Sequence, residues 1–365
     1  MTARTKWNTK RKYFYYAFLM LIIVAIRVFS FFPATVEKYY STGIYQCITR
    51  TGRILTGWLP ISLGDILYTV VVIWLIWKLI LMIKALVKKK INKTWLACAF
   101  KKAAIILAWV YIFFNVGWGL NYDRQGIAYQ LKLGVKAYDL ADLKNINNLL
   151  EEKTNTWRPV FDTNEIYRID KKETFKKANA SFMNASTRYP FLAYSHGSVK
   201  PSLYSIPGNY MGFTGYYNPF TTEAQVNTTV PAFTVPFTTC HEMSHQLGYA
   251  KEDEANFAGY LAATASSDSI FRYSAYFDLY LYANRELFIY DSVYSKLSRN
   301  RLSQPVQSDI ISLKKFWIKY RSPFDKLTAW IYEKYLKANR QPKGMQTYNE
   351  VIADLIAFYK KYGYI

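Results

Sequence analysis

The sequence predicts an α+β protein: three N-terminal transmembrane helices, then a mostly helical domain with a small sheet. Three observations carry this. Three long apolar runs fall within the first 120 residues. The segment Ser202–Pro236 is rich in Gly, Pro, Thr, Tyr and Asn and reads as short strands joined by turns. Helical spacing of apolar side chains fills most of the chain on either side of it.

The apolar runs come first in the chain. They span about residues 13–32, 63–83 and 103–120; only Arg27 interrupts the first, and from Ile66 to Ile83 only Lys78 interrupts the second. A helix crosses the hydrocarbon core with about 20 apolar residues, and a cation near an end can snorkel to the headgroups. The first run follows a basic stretch, as a secretory signal would, yet Phe31-Phe32-Pro33-Ala34-Thr35 holds no clear small-residue cleavage site. It reads as an uncleaved anchor.

Charge sets the expected orientation. The chain of 365 residues has 47 Lys and Arg against 25 Asp and Glu, a net +22. Such a surplus suggests nucleic acid or an anionic membrane. Its distribution decides between them. The first 120 residues carry 17 cations and two acids, Glu37 and Asp65; the remaining 245 carry 30 and 23. Five cations precede Tyr13, and seven (Lys84, Lys88, Lys89, Lys90, Lys93, Lys101, Lys102) surround the second connection between runs. The first connection, residues 34–62, has only Lys38, Arg50 and Arg53. The bias of Lys and Arg towards the cytoplasm then places the N-terminus and second connection inside. The first connection and residues 121–365 are expected outside. Nucleic acid is not expected as a partner; the lipid bilayer is.

Residues 1–120 thus read as a membrane domain and 121–365 as an extracytoplasmic one, large enough for a substantial core. The outer domain holds one cysteine, Cys240, so it has no internal disulfide. Helices are expected over Ala141–Lys153, capped by Asp139, and over Lys172–Asn184. Met211–Tyr217 is the best strand, and Pro236 suits a helix start. Beyond Gly248, helices are expected over Asp253–Ala265, Ile270–Tyr294, Asp309–Lys319, Lys326–Asn339 and Tyr348–Tyr362.

The chemistry lies in Thr239–Gly248. His241, Glu242 and His245 form H-E-x-x-H on an expected helix, and they include two of only three histidines. Residues i and i+4 share a helix face, so both imidazoles can reach one ion. Glu242 can reach a water at that ion without being a ligand. Zinc at a catalytic site takes a third protein ligand and keeps a position for water. Gly248 can end the helix in a left-handed turn, and a second helix then starts near Glu252 or Asp253. Glu252 and Glu254 both qualify as the third ligand by distance along the chain; His196, in a loop, is a remoter candidate.

H-E-x-x-H followed by E-x-x-A-[DN] resembles zincin metallopeptidases of the gluzincin type, whose third ligand is a glutamate. The resemblance implies Glu252 as that ligand, with Ala255 and Asn256 completing the motif. The metzincin pattern is not met, since Lys251 stands where its third histidine falls. The chain as a whole resembles a bacterial membrane family of unknown function, through Trp118–Arg124, Gly212–Val226 and His241–Phe257. These resemblances imply a membrane-anchored zinc hydrolase, a peptidase with a peptide or envelope protein as substrate, His241, His245 and Glu252 on Zn²⁺ and Glu242 as general base. Substrate is expected along the strand Met211–Asn218, with Tyr216, Tyr217 or Tyr348 polarising its carbonyl. The alternative is an inactive, metal-stabilised envelope sensor or scaffold.

Overall fold

A computed structural model describes residues 3–134, 137–158, 170–339, 341 and 350–365, with side chains of residues 3–10 and Asp325 left aside. The fold is α+β, mostly helical with one small sheet. Helix α1 (Ala3–Phe29) leads through α2 (Pro33–Thr35) and a π-helix (Val36–Ile44) into α3 (Tyr45–Gly57). Helices α4 (Leu63–Val87) and α5 (Lys93–Gly117) follow. Then come α6 (Gly126–Gln130), α7 (Leu140–Trp157) and α8 (Lys171–Arg188). Strand β1 (Val199–Pro201), helix α9 (Ser205–Met211) and strands β2 (Gly215–Asn218) and β3 (Glu223–Val226) form the centre. The remainder is α10 (Val235–Gln246), α11 (Glu252–Thr264), α12 (Ser269–Tyr290), α13 (Ser292–Arg301), α14 (Gln304–Lys319), α15 (Phe324–Ala338) and α16 (Glu350–Tyr362).

Among the described residues three helices are long and apolar enough to cross a membrane: Arg11–Phe29, Leu63–Val87 and Lys93–Gly117. Their apolar side chains are almost entirely exposed, which suits lipid and not water. The third begins ten residues before the apolar run because Asn92 caps it, accepting from the Trp95 amide at 2.8 Å. Lys101 and Lys102 sit inside it, exposed, where long stems carry their charge outward. The first ends at Phe29 because Pro33 disfavours helix just before it.

The first connection between these helices is not a surface loop. Tyr45, Thr49 and Arg53 of α3 are buried and reach the backbone of Ser195, His196, His245 and Gln246. The first turn of α4 docks on the sheet: the Glu223 carboxylate accepts from the Leu63 amide at 3.2 Å and the Gly64 amide at 2.6 Å. A carboxylate there answers unpaired donors and the positive end of the helix dipole.

The sheet has the order β1-β3-β2, with β1 parallel and β2 antiparallel to β3. The expected strand Met211–Tyr217 is shorter than predicted. Met211 ends α9, Gly212 caps it at φ +76°, and strand geometry starts at Gly215. A glycine meets this left-handed position without strain. Helices α7, α8, α10, α11, α12 and α16 enclose the main core, built on Phe182, Phe233, Phe257, Tyr273, Phe277 and Phe358. Asp139 caps α7 as expected, in a reciprocal box with Asp142. The expected helix Ile270–Tyr294 is two, because Asp291 ends α12 and caps α13 by accepting from the Tyr294 amide.

Candidate metal centre

Helix α10 starts with Pro236 in its first turn and ends before Gly248, whose φ of +89° turns the chain back. A Cβ at Gly248 would meet the Tyr45 ring at 2.9 Å, so this position needs glycine on both counts. After the turn, α11 runs back along α10. Gly259 allows the close approach: a Cβ there would lie 3.0 Å from the His241 amide nitrogen. The reversal brings the first residue of α11, Glu252, to the two imidazoles.

His241 and His245 lie one turn apart and meet edge to face, with ring centroids 4.8 Å apart. Glu252 Oε2 lies 3.2 Å from His241 Nε2 and 3.8 Å from His245 Nε2. One ligand atom from each residue falls within 4.8 Å of the others, a group that could hold a metal ion. The ring nitrogens facing away are engaged. His241 Nδ1 meets Asn256 Oδ1 at 2.8 Å, and His245 Nδ1 meets the Tyr249 carbonyl at 2.7 Å. Acceptors at Nδ1 hold the proton there and leave each Nε2 lone pair free for an ion. Glu252 Oε1 accepts from the Tyr332 hydroxyl of α15 at 2.5 Å. The Glu252 amide donates to buried Gln341 at 3.3 Å.

Glu242 is buried beside this group. Its Oε2 has no hydrogen-bond partner among the described residues. Strand β2 closes over it: a Cβ on Gly215 would sit 2.7 Å from Glu242 Oε1. Burial pushes the Glu242 carboxyl up to about 8, with Glu252 adding to the rise and His241 opposing it. Burial pushes His245 down to about 4, assisted by the charge on His241 and opposed by Glu252. In the His241–Glu252 pair, burial opposes both charges, but their contact outweighs it. His241 is raised and Glu252 is held well below the usual carboxylate range.

The C-terminal end of α10 is satisfied from outside the helix. The last carbonyls of a helix lack intrahelical donors. Thr49 Oγ1 donates to the Gln246 carbonyl at 2.8 Å, and Arg53 does so at 3.2 Å. Gln46 donates to the Leu247 carbonyl at 3.1 Å, and Arg124 to that of Gly248 at 3.0 Å. Arg124 is itself locked to Glu37 of the π-helix at 2.7 and 2.8 Å. Two cations at this end also favour the helix dipole. The aromatic ring of Trp118 packs edge-on against His245.

The sequence-derived residues divide as follows. His241, His245, Glu252 and Glu242 come together. Glu254 turns away, to Lys251 at 3.3 Å and to the backbone of Gly126. His196 is exposed in a left-handed turn and outside the group. Tyr217 is buried against Tyr45, at 3.2 Å between hydroxyls, and Tyr216 donates to Asp65. Neither hydroxyl is free to serve the centre, because the docking of α3 and α4 on the sheet consumes both. Tyr348 lies outside the described residues. Asn256, Tyr249 and Tyr332 were missed as orienting groups. Asn256 was visible in the motif, but only the antiparallel α10–α11 pair shows what it holds.

The family described as "Protein of unknown function (DUF3810)" matches residues 40–356, and the chain belongs to it. The match begins within the first connection and so spans α3 together with the metal centre. No curated protein and no solved structure matches the chain.

Proposed function

We propose that this chain is a membrane-anchored zinc hydrolase of the peptidase type, acting on a protein or peptide at the outer face of the membrane. The observation that carries the reading is the convergence of His241 Nε2, His245 Nε2 and a Glu252 oxygen while both Nδ1 atoms are engaged elsewhere. Ligands about 2.0–2.1 Å from one tetrahedral ion stand about 3.3 Å apart, close to the contacts at 3.2 and 3.8 Å. Three protein ligands with an unpartnered carboxylate beside them suit a catalytic site, since a structural zinc usually fills all four positions from the protein.

A zinc ion held there supplies Lewis-acid polarisation of a carbonyl and makes an adjoining water more acidic. Glu242 takes the proton as the water oxygen adds to the carbonyl carbon. It then passes that proton to the leaving nitrogen as the C–N bond breaks. Asn256, the Tyr249 carbonyl and Tyr332 orient the ligands. Strand β2, at the sheet edge beside Glu242, offers its backbone to an extended substrate. The basic second connection supports an inside location for residues 88–92, and with it the reading that the candidate metal centre lies outside the cytoplasm.

The test is a peptide-library digest with the purified full chain in detergent, beside Glu242→Gln. Wild type should bind about one zinc and cleave. The variant should keep its zinc and lose about 10²–10⁴-fold in rate, the usual share of a general base. Normal hydrolysis by Glu242→Gln would sink the mechanism. Zinc binding by wild type with no cleavage of any library peptide would favour the sensor or scaffold.

A further inference from the structure

Helix α15 lies over the metal centre and carries two unlike faces. Tyr332 reaches inward to Glu252 and Leu336 is fully buried. On the other side Phe324, Leu327, Trp330 and Ile331 form an apolar stripe at helical spacing, each more than half exposed, with Phe324 at 63% and Trp330 at 59%. Lys326 and Lys334 are exposed beside the stripe, as is Lys337, which pairs with Glu333 of the same helix. Helix α9 is clipped to α15 through Ser322 on the Tyr210 carbonyl at 2.9 Å and Thr328 on the Met211 carbonyl at 3.1 Å. It adds Leu203, just before it, and Ile206, exposed at 58% and 60%.

The two helices are tied to the ends of the candidate spans. Tyr204 shares a hydrogen bond with Thr69 of α4 at 2.6 Å and donates to the Asp65 carbonyl at 3.0 Å. Tyr335 of α15 meets Tyr122, five residues beyond α5, at 3.1 Å between hydroxyls. Helix α4, at 25 residues, is about 37 Å long against a hydrocarbon core of about 30 Å. Its first turn is buried against the sheet at Gly64 and Asp65, so this end of the span meets the domain, and α9 is held beside it.

We infer that α9 and α15 form a face that rests on the leaflet at the domain-side ends of the spans, with anionic lipid as its partner. An amphipathic helix with Trp, Phe and Leu on one side and Lys at its margins is built for this boundary. The face is tied to the domain-side ends of two candidate spans, and its lysines complement anionic headgroups. The consequence is that the metal centre sits directly beneath the membrane surface, under α15. If the hydrolase reading holds, the substrate is a segment anchored in or lying on that leaflet. The face itself does not depend on that reading.

The experiment measures lipid contact, not activity. The full chain carries Cys47→Ser and Cys98→Ser, leaving only buried Cys240. One environment-sensitive label is attached at Leu327→Cys, at Trp330→Cys, or at Met183→Cys as reference. Met183 is exposed on α8, near the end of α11 remote from Glu252. Each chain is placed in nanodiscs of phosphatidylcholine and phosphatidylglycerol containing lipid spin-labelled near the headgroup. Only labelled chains that keep the parent's unfolding midpoint are compared. The labels at 327 and 330 should be quenched several-fold more than the label at 183, and less in phosphatidylcholine alone. Equal quenching at all three sites would overturn the inference. So would labels at 327 and 330 shielded from aqueous iodide yet untouched by lipid spin, which would show a protein covering the face. Quenching that is unchanged without phosphatidylglycerol would overturn the anionic assignment.

Discussion

Two connections join the three candidate spans. Between α1 and α4 the chain uses residues 30–62; between α4 and α5 it uses only 88–92. Both contain cations. In the second, Lys88, Lys89 and Lys90 are all exposed. In the first, Arg53 is 3% exposed and donates to the Ser195, His196 and Gln246 carbonyls and to Thr49. Glu37, the one acid there, is buried with Arg124. The short connection has no backbone to satisfy beyond a turn, so its charge acts only through its sign. The long one is a structural part of the candidate metal centre, because it supplies donors to the carbonyl end of α10. Charge counting treats Arg53 and Lys89 alike; burial separates them.

The largest way to break this contrast is Glu37→Ala. It leaves Arg124 buried without its partner and should cost about 3–5 kcal/mol, read from chemical unfolding in detergent. The pH dependence gives an internal check. Burial alone would raise the Glu37 carboxyl, but Arg124, the Gly126 amide and Gln130 hold it below the usual carboxylate range. The stabilisation is therefore complete above that range and is lost as pH falls through the lowered value. Arg124 keeps its charge throughout. The wild-type advantage over Glu37→Ala should shrink with acid; an advantage that persists would show that the pair is not what couples the π-helix to the domain.

A smaller effect is expected from Thr49→Val. It removes the 2.8 Å bond to the Gln246 carbonyl, while Arg53 still reaches that oxygen. A loss of about 1 kcal/mol is expected, with zinc stoichiometry unchanged in metal analysis. A loss of zinc would mean that the connection sets ligand geometry more tightly than its hydrogen bonds suggest. The smallest effect belongs to the second connection. Replacing Lys88, Lys89 and Lys90 together by Gln should move stability by no more than about 0.5 kcal/mol. It should instead raise the fraction of chains whose domain is shielded from protease added outside sealed spheroplasts, since inverted chains carry the domain inside. A stability change like that of Glu37→Ala would erase the distinction between the two connections.

Much of this was legible in the chain. Each span shows as a run of neighbouring apolar residues, and the histidine pair shows as a local i, i+4 spacing. Gly248 and the acids at the start of α11 mark the reversal that follows. Local signals fared worse where a cap overrides periodicity or a distant group intervenes. Gly212 stops the expected strand and Asp291 divides the expected long helix, both by caps that short-range reading can confuse with periodicity. Tyr216 and Tyr217 looked like candidates for the site because nothing in the sequence reveals that Asp65 and Tyr45 occupy their hydroxyls.

By itself, then, the sequence determined the fold class, the three apolar helices, the charge asymmetry and the identity of three donors, since each depends on residues within a few turns of one another. Tertiary structure alone decided the rest. It selected Glu252 over Glu254, set Asn256 and the Tyr249 carbonyl behind the two imidazoles, and brought α3 and α15 to the metal helix. These depend on which side chains meet across separations such as the 197 residues between Thr49 and Gln246. A buried carbonyl or imidazole nitrogen takes whatever partner packing delivers to it, and no spacing along the chain encodes that partner.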